Sequence, residues 1–99
     1  MTQEKNIIIE KYLSLTENNK EFREISKSYL EKILKNCDRD NAMELNISLA
    51  DVCDRTYNID ITEVWVNENG YIIFMIDNVE IEYDKLSNKE IIHIIRELN

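Results

Sequence analysis

The chain has 99 residues, of which 43% are hydrophobic and 32% charged, and its formal net charge is -8. A chain of this length buries about two-thirds of the surface it exposes when unfolded, which supports one domain over residues 1–99 and leaves no surface for a second core. The apolar content is too high for disorder, and the acidic balance argues against direct nucleic-acid binding, which needs clustered Lys or Arg facing phosphate.

The longest uninterrupted apolar run covers residues 71–76, far below the roughly 18 residues that a membrane span requires. The opening residues lack the cationic start and small-residue cleavage site of a secretory signal, so a cytoplasmic location is expected. Cys37 and Cys53 make a weak disulfide framework without an export signal, and they are expected as free thiols at apolar helical positions. A zinc site lacks ligands, since there is one His and no C-x-x-C spacing.

Charge is segregated along the chain. Residues 1–36 hold seven Lys+Arg and six Asp+Glu, a net of +1, whereas residues 37–99 hold five and fourteen, a net of -9. Between Arg55 and Lys85 stand seven acids, Asp60, Glu63, Glu68, Asp77, Glu80, Glu82 and Asp84, and no basic residue. Segregation of this kind makes a dipolar molecule with one acidic end, suited to a positively charged partner.

Thr2 can cap a first helix with Ile8, Tyr12 and Leu15 at helical spacing and with Ile9 and Leu13 widening its apolar face. The polar run from Thr16 then interrupts it. A second helix is expected over 20–36, where Phe22, Ile25, Tyr29, Ile33 and Cys37 recur every three or four residues and Leu30 and Leu34 flank them. Its outer face pairs Lys20 with Glu24, Lys27 with Glu31 and Glu31 with Lys35, each pair worth a few tenths of a kcal/mol.

Residues 42–57 support two readings. Met43, Leu45, Ile47 and Leu49 alternate as in a strand over 43–47, while Leu45, Leu49, Val52 and Cys53 fit a helix over 48–57 capped by Ser48; the helix is favoured. From Ile59 the period changes to two. A strand over 59–66, the Asn69-Gly70 hairpin signal and a strand over 71–76, apolar on both faces, come next. A two-residue turn at Asp77-Asn78 leads into Val79, Ile81 and Tyr83 alternating with Glu80, Glu82 and Asp84. Ser87 or Asn88 caps a last helix whose stripe is Ile91, Ile94, Ile95 and Leu98. The expected fold is therefore α+β: two or three N-terminal helices, a three-stranded antiparallel meander and a C-terminal helix.

The Asp77-Asn78 turn sets a register in which Ile76 faces Val79, Phe74 faces Ile81 and Ile72 faces Tyr83, all apolar and on one face. On the other face Met75 meets Glu80, Ile73 meets Glu82 and Tyr71 meets Asp84. Unpaired carboxylates cost several kcal/mol each to bury, so this mixed face should be at least partly wet. Glu80, Glu82 and Asp84 stand about 6.6 Å apart in a row of roughly 13 Å. The plain alternative is a solvated edge, charged to resist aggregation.

No catalytic, cofactor or metal motif competes with this row. Asp38-Arg39-Asp40-Asn41 begins like a calcium loop, but Ala42 replaces the third oxygen ligand and the turn glycine is missing. Asp77, Glu80, Glu82 and Asp84 could hold Mg²⁺ with Lys85 nearby, yet the segment lacks the basic approach that phosphate substrates need. His93 has no nucleophile partner and reads as a surface residue. Trp65 reads as core before interface anchor.

In size, acidity and helix-plus-meander layout the chain resembles the small inhibitors of phages and mobile elements, anti-CRISPR proteins among them. That resemblance implies a nucleic-acid mimic that occludes the basic channel of a nucleic-acid-binding enzyme. Glu80, Glu82 and Asp84 would then compete with phosphate, while Tyr71, Ile73 and Met75 add apolar contact. The alternatives are an immunity protein that neutralises a basic toxin nuclease, and a small enzyme or ligand-binding domain with a pocket between helices and sheet.

Overall fold

Helices open and close the chain around a run of antiparallel strands, in a computed structural model that describes residues 2–13, 19–48 and 60–98. Helix α1 spans Thr2–Leu13 and α2 spans Asn19–Ile33; a short 3₁₀ helix, Arg39–Asn41, leads to the strands. These are β1 (Met43–Ser48), β2 (Asp60–Val66), β3 (Ile72–Ile76) and β4 (Val79–Glu82), followed by a second 3₁₀ helix, Tyr83–Lys85, and by α3 (Asn88–Glu97).

Phe22, Ser26 and Leu30 are fully buried along α2, and Leu34 continues their four-residue line just past its end; Ile25, Tyr29 and Ile33 flank them half-buried. Phe22 and the flanking Leu30 and Leu34 of the expected apolar face are thus its most deeply buried members, joined by Ser26, while Ile25, Tyr29 and Ile33 lie to one side. Helix α1 contributes Ile8, and its Tyr12 ring lies 5.4 Å from Phe22. Leu13, expected to widen the apolar face, is instead 60% exposed at the helix end. Ion pairs Lys11–Glu21 (2.7 Å) and Lys32–Glu4 (2.9 Å) bracket the two ends of this antiparallel helix pair. Being exposed, each contributes at most about 1 kcal/mol.

Helix α3 begins with a capping box. The Ser87 hydroxyl accepts from the Glu90 amide, and the Glu90 carboxylate accepts from the Ser87 amide at 2.7 Å. Its apolar side buries Ile91, Ile92, Ile94 and Ile95. Lys5 of α1 donates to the Leu98 carbonyl that follows the helix.

The strands form one antiparallel sheet in the order β1-β2-β3-β4. It has four strands where the sequence reading expected three, because residues 43–48 pair with β2 along Met43↔Val64, Glu44↔Glu63 and Ile47↔Ile61. The reason is long-range. Without β1 the outer edge of β2 would leave its backbone groups unpaired, and the alternation of Met43 and Ile47 puts apolar side chains on the core face. Ser48 ends β1 rather than capping a helix, and the rest of the helix expected over 48–57 lies outside the described residues, as do Leu15, the run from Thr16 and Cys53.

Turn chemistry sets the register of the central strands. Asp77 and Asn78 adopt φ values of 51° and 66°, the left-handed pair of a type I′ turn, so Ile76 meets Val79, Phe74 meets Ile81, Met75 meets Glu80 and Ile73 meets Glu82. The β2–β3 loop is longer. The Gly70 amide donates to the Asn67 carbonyl and the Asn67 amide to the Tyr71 carbonyl, with Gly70 at φ 85°. The Asn67 side chain accepts from the Asn69 and Tyr71 amides, both at 2.9 Å.

The helices pack on the sheet face that carries Ile47, Ile61, Val64, Ile72, Phe74 and Ile76, and these side chains share one core cluster with Ile8, Phe22, Leu30, Ile91 and Ile95. The expected pairs Ile72–Tyr83 and Tyr71–Asp84 lie beyond the sheet. Strand β4 ends at Glu82, and the chain turns into the 3₁₀ helix in which Tyr83 is buried against the helices. Among the described residues no helix is long and apolar enough to cross a membrane.

Candidate functional site: the acidic sheet face

The face turned away from that core carries a row running across all four strands. Antiparallel partners share a face, so Glu44 of β1 stands opposite Glu63 of β2, Glu63 opposite Met75 of β3, and Met75 opposite Glu80 of β4. With neighbouring strands about 4.8 Å apart, three carboxylates occupy a line of roughly 14 Å. A second line crosses Trp65, Ile73 and Glu82. None of the four described strands contains a Lys or Arg. Glu44 and Glu63, like charges placed directly opposite, oppose sheet pairing.

Among the described residues, Arg39 reaches this face from outside the sheet. The Cys37 carbonyl accepts from the Val66 amide at 2.9 Å, which lays the stretch before the first 3₁₀ helix against the end of β2. Asp38 caps that helix by accepting from the Asn41 amide at 2.9 Å. Arg39 then projects over the sheet, its guanidinium carbon 5.6 Å from the centre of the Trp65 ring and its Nη1 2.8 Å from Glu80 Oε2. Beside it lies an open groove of about 570 Å³, lined by Asp38, Asp40, Trp65, Glu68, Ile73 and Glu80 among others.

The structure separates the six residues that the sequence placed in one partner-binding patch. Glu80, Glu82 and Met75 do share the face, and Glu80 is exposed. Ile73 also points that way but is only 6% exposed, so it offers no free apolar contact. Asp84 leaves the carboxylate row because it belongs to the 3₁₀ helix, and Tyr71, 48% exposed, precedes β3 in the loop. The row gains Glu44 and Glu63 instead. Glu63 was visible as one of the seven acids, but its facing needed the pairing of β2; Glu44 needed the recognition of β1. Trp65 is 3% exposed, in keeping with its reading as a buried residue, yet it and Ile73 stand outside the main core cluster.

A second polar constellation anchors α2 to the end of β4. Arg23 donates to the Leu86 carbonyl at 2.9 Å, to Asn88 Oδ1 at 2.8 Å and to the Tyr83 carbonyl at 3.3 Å, and its guanidinium carbon lies 5.4 Å from the Tyr83 ring centre. The Tyr83 hydroxyl returns a hydrogen bond to the Arg23 carbonyl at 2.9 Å. Burial pushes this hydroxyl up to about 12, against the pull of the Arg23 charge and the neighbouring Ser26 hydroxyl, while Asp84 adds to the rise. Ser26 Oγ, fully buried, makes no hydrogen bond of good geometry. The arrangement is a bracket that ties α2 to the end of β4.

The remaining candidates fall to structural roles. His93 is half-buried, not a free surface residue, and its Nε2 lies 2.9 Å from the Ser48 carbonyl, where the N–H tautomer donates. Cys37 is a free, half-buried thiol packed against the core, and it follows α2 where the sequence had placed it within a helix. Among the described residues no three His, Cys, Asp or Glu side chains stand together in a way that could hold a metal ion. No family model matches the chain, and neither a curated protein nor a solved structure matches it.

Proposed function

We propose that the chain is a non-enzymatic protein-binding inhibitor whose acidic sheet face docks on a basic surface, in the first instance the nucleic-acid channel of an enzyme. The observation that carries this reading is the row Glu44–Glu63–Met75–Glu80, with Glu82 beside it, on a sheet whose four strands contain no cation. A sheet that needed only solubility would gain stability from alternating signs across strands. Setting Glu44 directly against Glu63 forgoes that gain, and a cationic partner would relieve the repulsion. Glu44 and Glu63 stand about 5 Å apart and Glu80 about 10 Å beyond Glu63, a line of negative charge that can compete with phosphate for the same Lys and Arg side chains. The acids steer and orient the encounter, and Met75, which shares their face, supplies apolar contact.

Affinity capture with the immobilised chain at low and at high salt, read by mass spectrometry, tests the proposal. A basic nucleic-acid-binding protein should be retained at low salt and lost steeply as salt rises. Glu80→Lys combined with Glu82→Lys should abolish capture while leaving the circular dichroism spectrum unchanged. A folded double variant that still captures the same protein would show that this face is not the docking surface.

A further inference from the structure

We propose that the outer edge of β1 accepts an extended segment of the partner protein as a fifth strand, one whose residues alternate between apolar and basic. The inference rests on the acidic-face reading above and names how the partner is held. In the order β1-β2-β3-β4 the two outer strands are β1 and β4, and they are guarded differently. Strand β4 is four residues long and carries Glu80 and Glu82, the first of them tied to Arg39. Strand β1 is six residues long, about 20 Å, with neither Lys nor Pro to discourage pairing, and Glu44 is its one charge. Among the described residues it pairs with β2 alone, so its other side presents backbone N–H and C=O groups that a further strand can use. At the far end His93 already meets the Ser48 carbonyl, which leaves Met43 to Ile47 as the open stretch.

Side-chain alternation sets what the added strand must carry. Met43, Leu45 and Ile47 turn to the core side, and Glu44, Asn46 and Ser48 are exposed. Beside the core-side residues runs an open groove of about 320 Å³, bounded across from β1 by Ile33 of α2 and by Leu98. Met43, Leu45 and Ile33 are only half-buried there, so apolar side chains at every second position of an added strand would cover them. The charged residues of the lining, Glu44 and Glu97, are both acidic. On the outer face Glu44 has Glu63 on one side and solvent on the other, and a Lys or Arg on the added strand supplies the cross-strand cation that β2 withholds. A second copy of this chain fits the edge less well, because its own β1 carries no cation and each copy bears a net charge of -8.

The test uses the full chain with three octapeptides: alternating Val and Lys, the same sequence N-methylated at every residue, and alternating Gly and Lys. Binding is followed by calorimetry at low salt and by amide hydrogen exchange. The Val-Lys peptide should bind and slow exchange over residues 43–47, and N-methylation, which removes the backbone donors, should weaken it about tenfold or more. Leu45→Lys places a charge in the groove and should weaken the Val-Lys peptide about tenfold with an unchanged circular dichroism spectrum; the exchange and N-methylation readouts need no variant. Equal binding of the N-methylated peptide, or of the Gly-Lys peptide, with exchange over 43–47 unmoved would overturn strand addition while leaving the acidic face as a docking surface. A dimer in sedimentation that Leu45→Lys abolishes would give the edge to a second copy and overturn the partner segment. Failure of all three peptides to bind would count against the acidic-face reading itself, and the edge site would fall with it.

Discussion

Replacing Arg23 by Met removes the guanidinium while keeping an aliphatic stem of similar reach, so it isolates the polar part of the bracket between α2 and the end of β4. Two of its hydrogen bonds are short, to the Leu86 carbonyl at 2.9 Å and to Asn88 Oδ1 at 2.8 Å; the bond to the Tyr83 carbonyl at 3.3 Å is weaker. Hydrogen bonds from a charged donor contribute about 1.5 kcal/mol or more each, and the contact with the Tyr83 ring about 0.5 kcal/mol further. The site is half-buried, so water recovers part of what is lost, and the expected cost is about 2 kcal/mol. For a domain of this size that lowers the melting temperature by roughly 10 °C. Urea denaturation followed by circular dichroism measures it, with Lys11→Met as the control. Lys11 pairs with Glu21 in an exposed setting and should cost under about 1 kcal/mol. If Arg23→Met and Lys11→Met cost the same, the bracket does not hold these elements together.

Three further outcomes follow from the same structure. The Tyr83 hydroxyl is raised from 10.0 to about 12, chiefly by burial. The native chain therefore keeps this proton after the unfolded chain has released it; stability is full below about pH 10 and falls by about 2 to 3 kcal/mol as the pH climbs to about 12. Tyr83→Phe should flatten that decline in denaturation midpoints, and an unchanged slope would refute the assignment. Gly70→Ala should cost about 1 kcal/mol through its φ of 85° alone, since a Cβ there meets nothing within 4 Å, and Gly70→Asn should cost less; an Ala variant as stable as the parent in urea would refute this. Ser87→Ala removes half of the capping box of α3 and should destabilise by about 1 kcal/mol in the same assay, with no loss expected to exceed that of Arg23→Met.

The β3–β4 hairpin was legible in full as far as Glu82 because two adjacent residues dictate it: once Asp77 and Asn78 form the turn, every facing pair follows. A cap at Ser87 or Asn88 was legible for the same local reason, and the structure places it at Ser87. Strand β1 was harder. Leu45, Leu49, Val52 and Cys53 offered a helical period that competed with the alternation of Met43 and Ile47, and only the open edge of β2 decides between them. The carboxylate row was half legible, since Glu80 and Glu82 were placed correctly while Glu44 and Glu63 were not and Asp84 was included wrongly. Arg39 had no signal as a member of the site. It reads as part of a failed calcium loop, and nothing local ties it to Trp65 or Glu80.

The sequence by itself determined the α+β class, the register of its tightest hairpin and the segregation of acid into its second part, because period, turn chemistry and composition act over a few neighbouring residues. Only the tertiary structure decided which acids face one another, that Ile73 is buried on a face otherwise rich in carboxylates, and that a cation from the preceding turn stacks on Trp65. Those outcomes depend on backbone hydrogen bonds between strands far apart in the chain, and such pairing is settled by the whole sheet at once.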